Sequence, residues 1–417
     1  MTNFNRVSSA NMYDSTLRNL SARQKTLADL QENLTSGKRV VRPSDDPVAA
    51  AQAERALTRI GRIQTEQRAL EVQRNAITQA ESTLGDAVGL VQEIRQLVVA
   101  AGGGALKPED RKTYANQIQS LREQLSDVIN RKDTNGIPLL GALGSALEPF
   151  TGPLSGSPDY LFSGLPGQGS SNDMSITSTL DGHAALMFDP KRDGVYQAGV
   201  SVIPSGRALT TSAITPTNLS QVTGDGYRID FTAVVPGATP GTSSATYTIT
   251  NTTTGVTSAP ITAPDFAPDK GGTISVTGVP GMTFSVTGTP AAGDAITLQP
   301  SPSLMSSVDG AIQGIGGAAN NNAATQAVGQ ALASIDAGME RLSNMRGYAG
   351  ELLNRADRIT GDQGRRSIQL EADRSRAEDL DMVKGISDFQ NANVGYEAAL
   401  KSYAQVQRLS LFNFING

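Results

Sequence analysis

Only one imidazole is available to this chain: His183, within "DGHAAL". A hydrolytic triad would need it beside a serine and a carboxylate. Serines are plentiful, but neither a "GxSxG" elbow nor a "GxxxxGK[ST]" phosphate loop occurs. A zinc centre draws several ligands from His and Cys, and the chain has 1 His and 0 Cys. The paired acids Asp45-Asp46 precede Pro47, where carboxylates favour the start of a helix. "GQGSSN" and "GGGALKPED" read as flexible turns. No catalytic, cofactor-binding or metal-binding residue is expected, so the chain reads as a non-enzyme with His183 in a loop or on the surface.

The formal net charge is −5, which argues against nucleic acid as a partner. Residues 150–305 hold 10 Asp, no Glu, 2 Lys and 3 Arg, so the whole excess belongs to the middle of the chain. No run of apolar residues is long enough for a transmembrane helix, so no membrane partner is expected. The first residues, "MTNFNRVSSANMYDSTLRNL", lack the basic-then-apolar order of a cleavable secretory signal.

With chemistry set aside, the elements carry the information. Residues 5–140 are rich in helix formers. Tyr13, Leu17, Leu20, Gln24, Leu27, Gln31 and Leu34 alternate spacings of four and three, a seam for packing along another helix. The two glutamines are either register-setting polar positions or ordinary solvated ones. Gly37 suits the position past a helix end, and Asp46-Pro47 suits an N-cap and first turn. The following stripe, Ile60 through Leu70, Ile77, Leu84 and Val91 to Val98, predicts a helix from Pro47 to about residue 100, roughly 80 Å long. A third helix is expected from Pro108, then a turn at Asn135-Gly136.

Residues 150–305 hold most of the 20 prolines. Short alternating runs such as "YRIDFTAVV", "TYTITN", "GMTFSVTG" and "DAITLQP" predict strands of a sandwich or barrel. The first should place Tyr227, Ile229, Phe231, Ala233 and Val235 on one face. Helical periodicity returns with Val328, Leu332, Ile335, Met339, Leu342, Ala349, Leu353 and Ala356. "TGDQG" is expected to break that helix, with Asp362 capping a last one to about Phe412. The expected fold is α+β and multi-domain: a long antiparallel helical bundle from both terminal arms, with an all-β insertion at the tip. The boundaries are 1–40, 41–149, 150–305, 306–375 and 376–417.

The termini carry apolar stripes with little to cover them. These are Tyr13, Leu17, Leu20, Leu27 and Leu34 at one end. At the other are Ile386, Phe389, Tyr396, Leu400, Tyr403, Val406, Leu409, Leu411 and Phe412. A lone helix is marginal in water, so residues 1–40 and 376–417 are expected to order only when other subunits pack on them. These residues are the candidate subunit-packing set.

Three stretches carry a family resemblance: "LQENLTSGKRVVRPSDDPVAA", "DTNGIPLLG" and "DLDMVKGISDFQNANVGYEAALKSYAQVQRLSLFNFI". They resemble the flagellin family of bacterial flagellar proteins. The likeness covers the terminal arms, about 260 of 417 residues, and leaves the middle zone without detailed correspondence. It implies terminal helices in the inner core of a tube, longer helices around them and the β domain outside. It also implies export through the flagellar type III apparatus, an export chaperone on the C-terminal helix, and an extracellular destination. "SGKRVVRPSDDP" and "LSLFNFING" resemble members that join hook to filament. Their implied partners are hook-associated protein 1, flagellin and further copies of the same chain. A flagellin filament subunit is the alternative. A surface adhesin or glycan-binding protein acting through the β domain is a remoter one.

Overall fold

The computed structural model describes residues 4–104, 106–156, 159–203, 208–267 and 271–415. The chain divides into two compact units, Met1–Arg68 with Thr360–Gly417, and Ala69–Ile359. The unbroken stripe after Asp46 folds as predicted. Helix α1 covers Phe4–Ser36, α2 Pro47–Ala101 and α3 Pro108–Ile129. Asp46 caps α2 by accepting from Ala49 N–H at 3.0 Å. Gly37 takes φ +69° at the end of α1, a left-handed conformation that favours glycine. In "DTNGIP" the Asp133 carboxylate accepts from the amides of Asn135 and Ile137, each at 2.8 Å.

In the unit Ala69–Ile359, short hairpin strands β1 (Phe150–Thr151) and β2 (Leu161–Phe162) precede two short helices, α4 (Gly182–Leu186) and α5 (Pro190–Asp193). Then come β3 (Tyr196–Ser201), β4 (Leu209–Thr211), β5 (Thr215–Pro216), β6 (Tyr227–Pro236) and β7 (Ser243–Asn251). They are followed by β8 (Ile261–Thr262), β9 (Thr273–Val276), β10 (Met282–Gly288) and β11 (Ala295–Pro300). One antiparallel sheet has the order β3-β11-β6-β7-β8. In the other, β10 pairs β9 on one side and β4 and β5 on the other. Their inner faces share one apolar core, with Ile229, Phe231 and Tyr247 from the first sheet and Val276, Phe284 and Val286 from the second.

The run "YRIDFTAVV" departs from simple alternation. Phe231 pairs Tyr247, but Ala233 pairs Thr246, so a bulge at Thr232 shifts the register. One extra residue reverses every later side chain. Val234, not Val235, therefore packs on the core, and Val235 is 51 % exposed.

The chain returns to helix with α6 (Leu304–Gly316), α7 (Asn321–Glu378) and α8 (Met382–Ile415). Beside α2, α7 buries Ile335, Leu342, Ala349, Leu352, Ala356 and Ile359. Seam positions that carry charge pair across it: Arg95 with Asp336 at 2.6 Å, Glu81 with Arg346 at 2.6 Å, and Arg74 with Asp357 at 3.3 Å. The numbers rise on one helix as they fall on the other, so the two run antiparallel. Exposed pairs of this kind are worth at most about 1 kcal/mol each, so they align the seam more than they stabilise it. Helices α3 and α6 are joined likewise by a bidentate Arg122–Asp309 pair at 2.9 and 3.1 Å.

Uncharged groups tie the β region to α7. Gln330 Oε1 accepts from Ala198 N–H at 3.3 Å, and Gln326 Nε2 donates to Ala198 C=O at 3.3 Å. Gln326 Oε1 accepts from Thr211 N–H at 3.3 Å, and Gln330 Nε2 donates to Thr211 Oγ1 at 3.0 Å. Two glutamines one helical turn apart thus occupy backbone groups of β3 and β4 that would otherwise be open strand edge.

Two expectations are corrected. "TGDQG" does not interrupt α7, which continues to Glu378. Each glycine there costs about 1 kcal/mol of helix propensity, without a proline to block the hydrogen-bond ladder. Asp362 pairs with Arg365, and the cap of the last helix is Asp381, whose Oδ1 accepts from Val383 and Lys384 N–H at 3.1 Å. His183 lies on the helical turn α4 rather than in a loop, with its ring edge-on to Phe162 at 5.6 Å.

Candidate functional site

Within the unit formed by Met1–Arg68 and Thr360–Gly417, α1 and α8 lie antiparallel. Leu34 faces Gly385, where an added Cβ would come within 3.3 Å of Leu34 Cδ2. Arg23 faces Gly395, at 2.8 Å by the same measure. Further along, Tyr403 OH donates to Tyr13 OH at 3.0 Å, with ring centroids 5.9 Å apart. That bond, followed by partial burial, raises the Tyr403 phenol above its ordinary value. Glycine on α8 at two contact levels lets the helices approach closely.

A clamp anchors the base of this pair. Arg39 N–H donates to Glu378 C=O at 2.7 Å, and Leu380 N–H donates to Gly37 C=O at 2.9 Å. The Arg39 guanidinium donates to Ala377 C=O at 2.8 Å and pairs with Asp46 at 3.2 Å. Arg42 grips Glu32 at 2.9 Å, and Asp45 accepts from the amides of Val41 and Arg42. The stretch "SGKRVVRPSDDP" is therefore a fastening between the α1–α2 turn and the α7–α8 turn. The sequence signal was Arg39 seven residues before Asp46, with Arg42 ten after Glu32; Asp45-Asp46 taken alone reads only as helix-start charge. The Ala49 amide bond first, and then Arg39, hold the Asp46 carboxyl below its ordinary value.

The candidate packing residues gather on this helical pair, yet none of those whose side chains are described is fully buried. Tyr13, Ile386 and Leu400 are 42 %, 45 % and 39 % exposed. Leu17, Leu20, Leu27, Leu34, Phe389, Tyr396 and Tyr403 are half-buried. The side chains of Val406, Leu409, Leu411 and Phe412 lie outside the described residues. Gln24 and Gln31 are exposed, so neither is an interior register-setting residue here. Met382, Val383 and Val394 were missed. Val383 and Val394, 81 % and 67 % exposed, lie together on an outward face. Their spacing of three turns was the available signal, hidden because the opposite face of α8 already read as the apolar one.

No group of three or more His, Cys, Asp or Glu suited to a metal occurs among the described residues. No helix among them is long and apolar enough to cross a membrane. What this surface can do chemically is bury apolar area against another surface.

Comparison with known proteins gives that surface a context. Residues 7–143 match the bacterial flagellin N-terminal helical region. Flagellar hook-associated protein 3 of Salmonella typhimurium is 31 % identical over 149 residues, covering 35 % of this chain and 46 % of that protein. The chain thus spans about half the length of the curated relatives it matches. Flagellin of Listeria monocytogenes matches over a shorter 114 residues at 29 % identity, covering 27 % of this chain and 40 % of that protein. Among solved structures, flagellar hook associated protein-3 of Legionella pneumophila superposes with a TM-score of 0.61 at 24 % identity. It covers 76 % of this chain and 97 % of its own. The flagellar junction protein FlgL of the same organism gives 0.56 at 25 %, covering 73 % and 99 %. Residues 7–143 thus resemble the flagellin N-terminal helical region, and the match to hook-associated protein 3 runs over 149 residues against 114 for that flagellin.

Proposed function

We propose that this chain is a structural subunit of the bacterial flagellum. It forms the junction between the hook, through hook-associated protein 1, and the flagellin filament. It works by packing its terminal helices against further copies and neighbouring subunits, not by catalysis. The observation that carries this is the α1–α8 pair, whose apolar stripes the chain's described residues leave half-covered. Its similarity to a flagellar hook-associated protein 3 and a flagellar junction protein supports the hook–filament junction as the place where such stripes would be covered. An export chaperone shields the C-terminal stripe before the flagellar type III apparatus passes the chain outward. Residues 1–40 and 376–417 order fully on assembly, around a ring of copies whose β regions face out.

The test is deletion of the coding sequence in the native host. Cells are viewed by negative-stain electron microscopy, and the medium is probed for flagellin. Bare hooks with free flagellin in the medium are expected. Bare hooks without secreted flagellin would transfer the reading to the filament subunit. Normal filaments would overturn both.

A further inference from the structure

A cavity of about 770 Å³ runs along β3, between that strand and helices α6 and α7. Its size falls within the roughly 300–1,000 Å³ of small-molecule sites. Among the described residues, no acidic, basic or aromatic side chain lines it. Four carboxamides line it without a hydrogen-bond partner among those residues: Gln197 on β3, Gln299 on β11, Gln313 on α6 and Asn322 on α7. Gln197 and Gln299 are cross-strand partners, so they stand side by side on one face of the sheet. The next pair on that face is Gly199 with Thr297, where the glycine leaves a bare step beside the two amides. Across the gap, an added Cβ at Gly310 of α6 would come within 3.2 Å of Gln197 Nε2. At Gly314 it would come within 2.7 Å of Ala327 on α7, so the two helices close the floor with small residues. Ser334 also lines the cavity, is 3 % exposed, and its hydroxyl has no partner among the described residues. A hydroxyl that deep normally has one.

The lining selects among ligands. An anion needs a countercharge, a nucleotide base needs a ring to stack on, and a lipid chain needs walls free of open amides. An added peptide strand needs an open sheet edge. Here Gln326 and Gln330 already hold the edges of β3 and β4 at Ala198 and Thr211. We infer that the cavity binds a neutral oligosaccharide. A sugar ring carries donors and acceptors around its rim without charge, and each carboxamide is donor and acceptor at once. Gln197 and Gln299 meet hydroxyls from the sheet side, Gln313 and Asn322 meet them from the helix side, and Ser334 takes one at depth. Gly199, Gly310 and Gly314 leave room for the ring between them. This activity is additional to assembly and requires nothing of α1 and α8.

Isothermal titration calorimetry on the full chain tests this. The neutral probes are maltotriose, cellotriose and tri-N-acetylchitotriose, and the charged one is trigalacturonate. At least one neutral trimer should bind. Trigalacturonate should bind at least about tenfold more weakly, because its carboxylates would lose water without gaining a countercharge. Gln299→Ala combined with Gln313→Ala should weaken the neutral trimer by about tenfold. Both side chains are exposed, so the thermal transition should not move. If it does, the two single variants decide, each weakening binding a few-fold. Ser334→Ala should also weaken binding. No binding of any neutral trimer at millimolar concentration would overturn the inference. So would equal affinity for trigalacturonate, or full affinity in the folded glutamine variants. A glycine–serine peptide binding in the sugars' place would make the cavity a peptide groove and overturn it too.

Discussion

Two carboxylates show how one side-chain type is put to opposite uses. Asp46 accepts from Ala49 N–H and pairs with Arg39, and its carboxyl is held below its ordinary value. A lowered folded value means that its contribution is present above the ordinary carboxylate range and is lost as pH falls through the lowered value. Asp46→Ala should lower the midpoint of helix melting by a few degrees at neutral pH, and the difference from wild type should shrink as pH falls below 3.8. Circular dichroism melts across that range would measure it. Asp309 is the converse. It accepts from Tyr160 OH at 2.6 Å and from both Arg122 nitrogens, and burial raises its carboxyl above 3.8, with Arg122 opposing. A raised folded value makes stability fall as pH climbs from the ordinary value through the raised one. Asp309→Asn should flatten that slope. It also leaves the Arg122 side chain, 12 % exposed, without its partner, at a cost on the order of 3 kcal/mol at neutral pH by urea unfolding. A variant as stable as wild type would mean that Arg122 finds solvent instead.

At the scale of elements, the sequence was legible where burial follows a fixed period and illegible where one residue resets it. The stripes of α2 and α7 could be read because thirty or more residues repeat the same spacing. Strand β6 could be found, but not its inner face beyond Phe231, because the extra residue Thr232 leaves no compositional mark. Val234→Thr should therefore cost about 1 kcal/mol or more, and Val235→Thr less than about 0.5 kcal/mol. Equilibrium denaturation of the two variants would decide, and the reverse order would refute the bulged register. The end of α7 was misplaced because two glycines and an aspartate imitate a break that tertiary packing overrides. The contact of Gln326 and Gln330 with Ala198 and Thr211 could not be read at all, since over a hundred residues separate the partners. Replacing both glutamines by alanine should speed amide exchange in β3 and β4 without changing the helical signal. Unchanged exchange would show that other contacts hold those edges.

At the scale of the molecule, the candidate surface was legible only in part. Sequence located α1 and α8 and most of their stripes, because amphipathic spacing is local. It missed the clamp of Arg39, Arg42, Asp45 and Asp46 and the outward pair of Val383 and Val394, because their roles depend on a turn and on a second face. A chain lacking 1–40 and 376–417 should keep the thermal transition of its β region and lose concentration-dependent association in sedimentation. Association that survived would move the contact surface elsewhere. The four hydrogen bonds that hold β3 and β4 to α7 carry a last consequence. Their partners are uncharged, so counterions have no purchase on them. Between 0.01 M and 1 M salt the Debye length contracts from roughly 30 to 3 Å, and the Arg–Asp and Arg–Glu pairs along α2 and α7 weaken with it. These four bonds are thus as firm in brine as in fresh water.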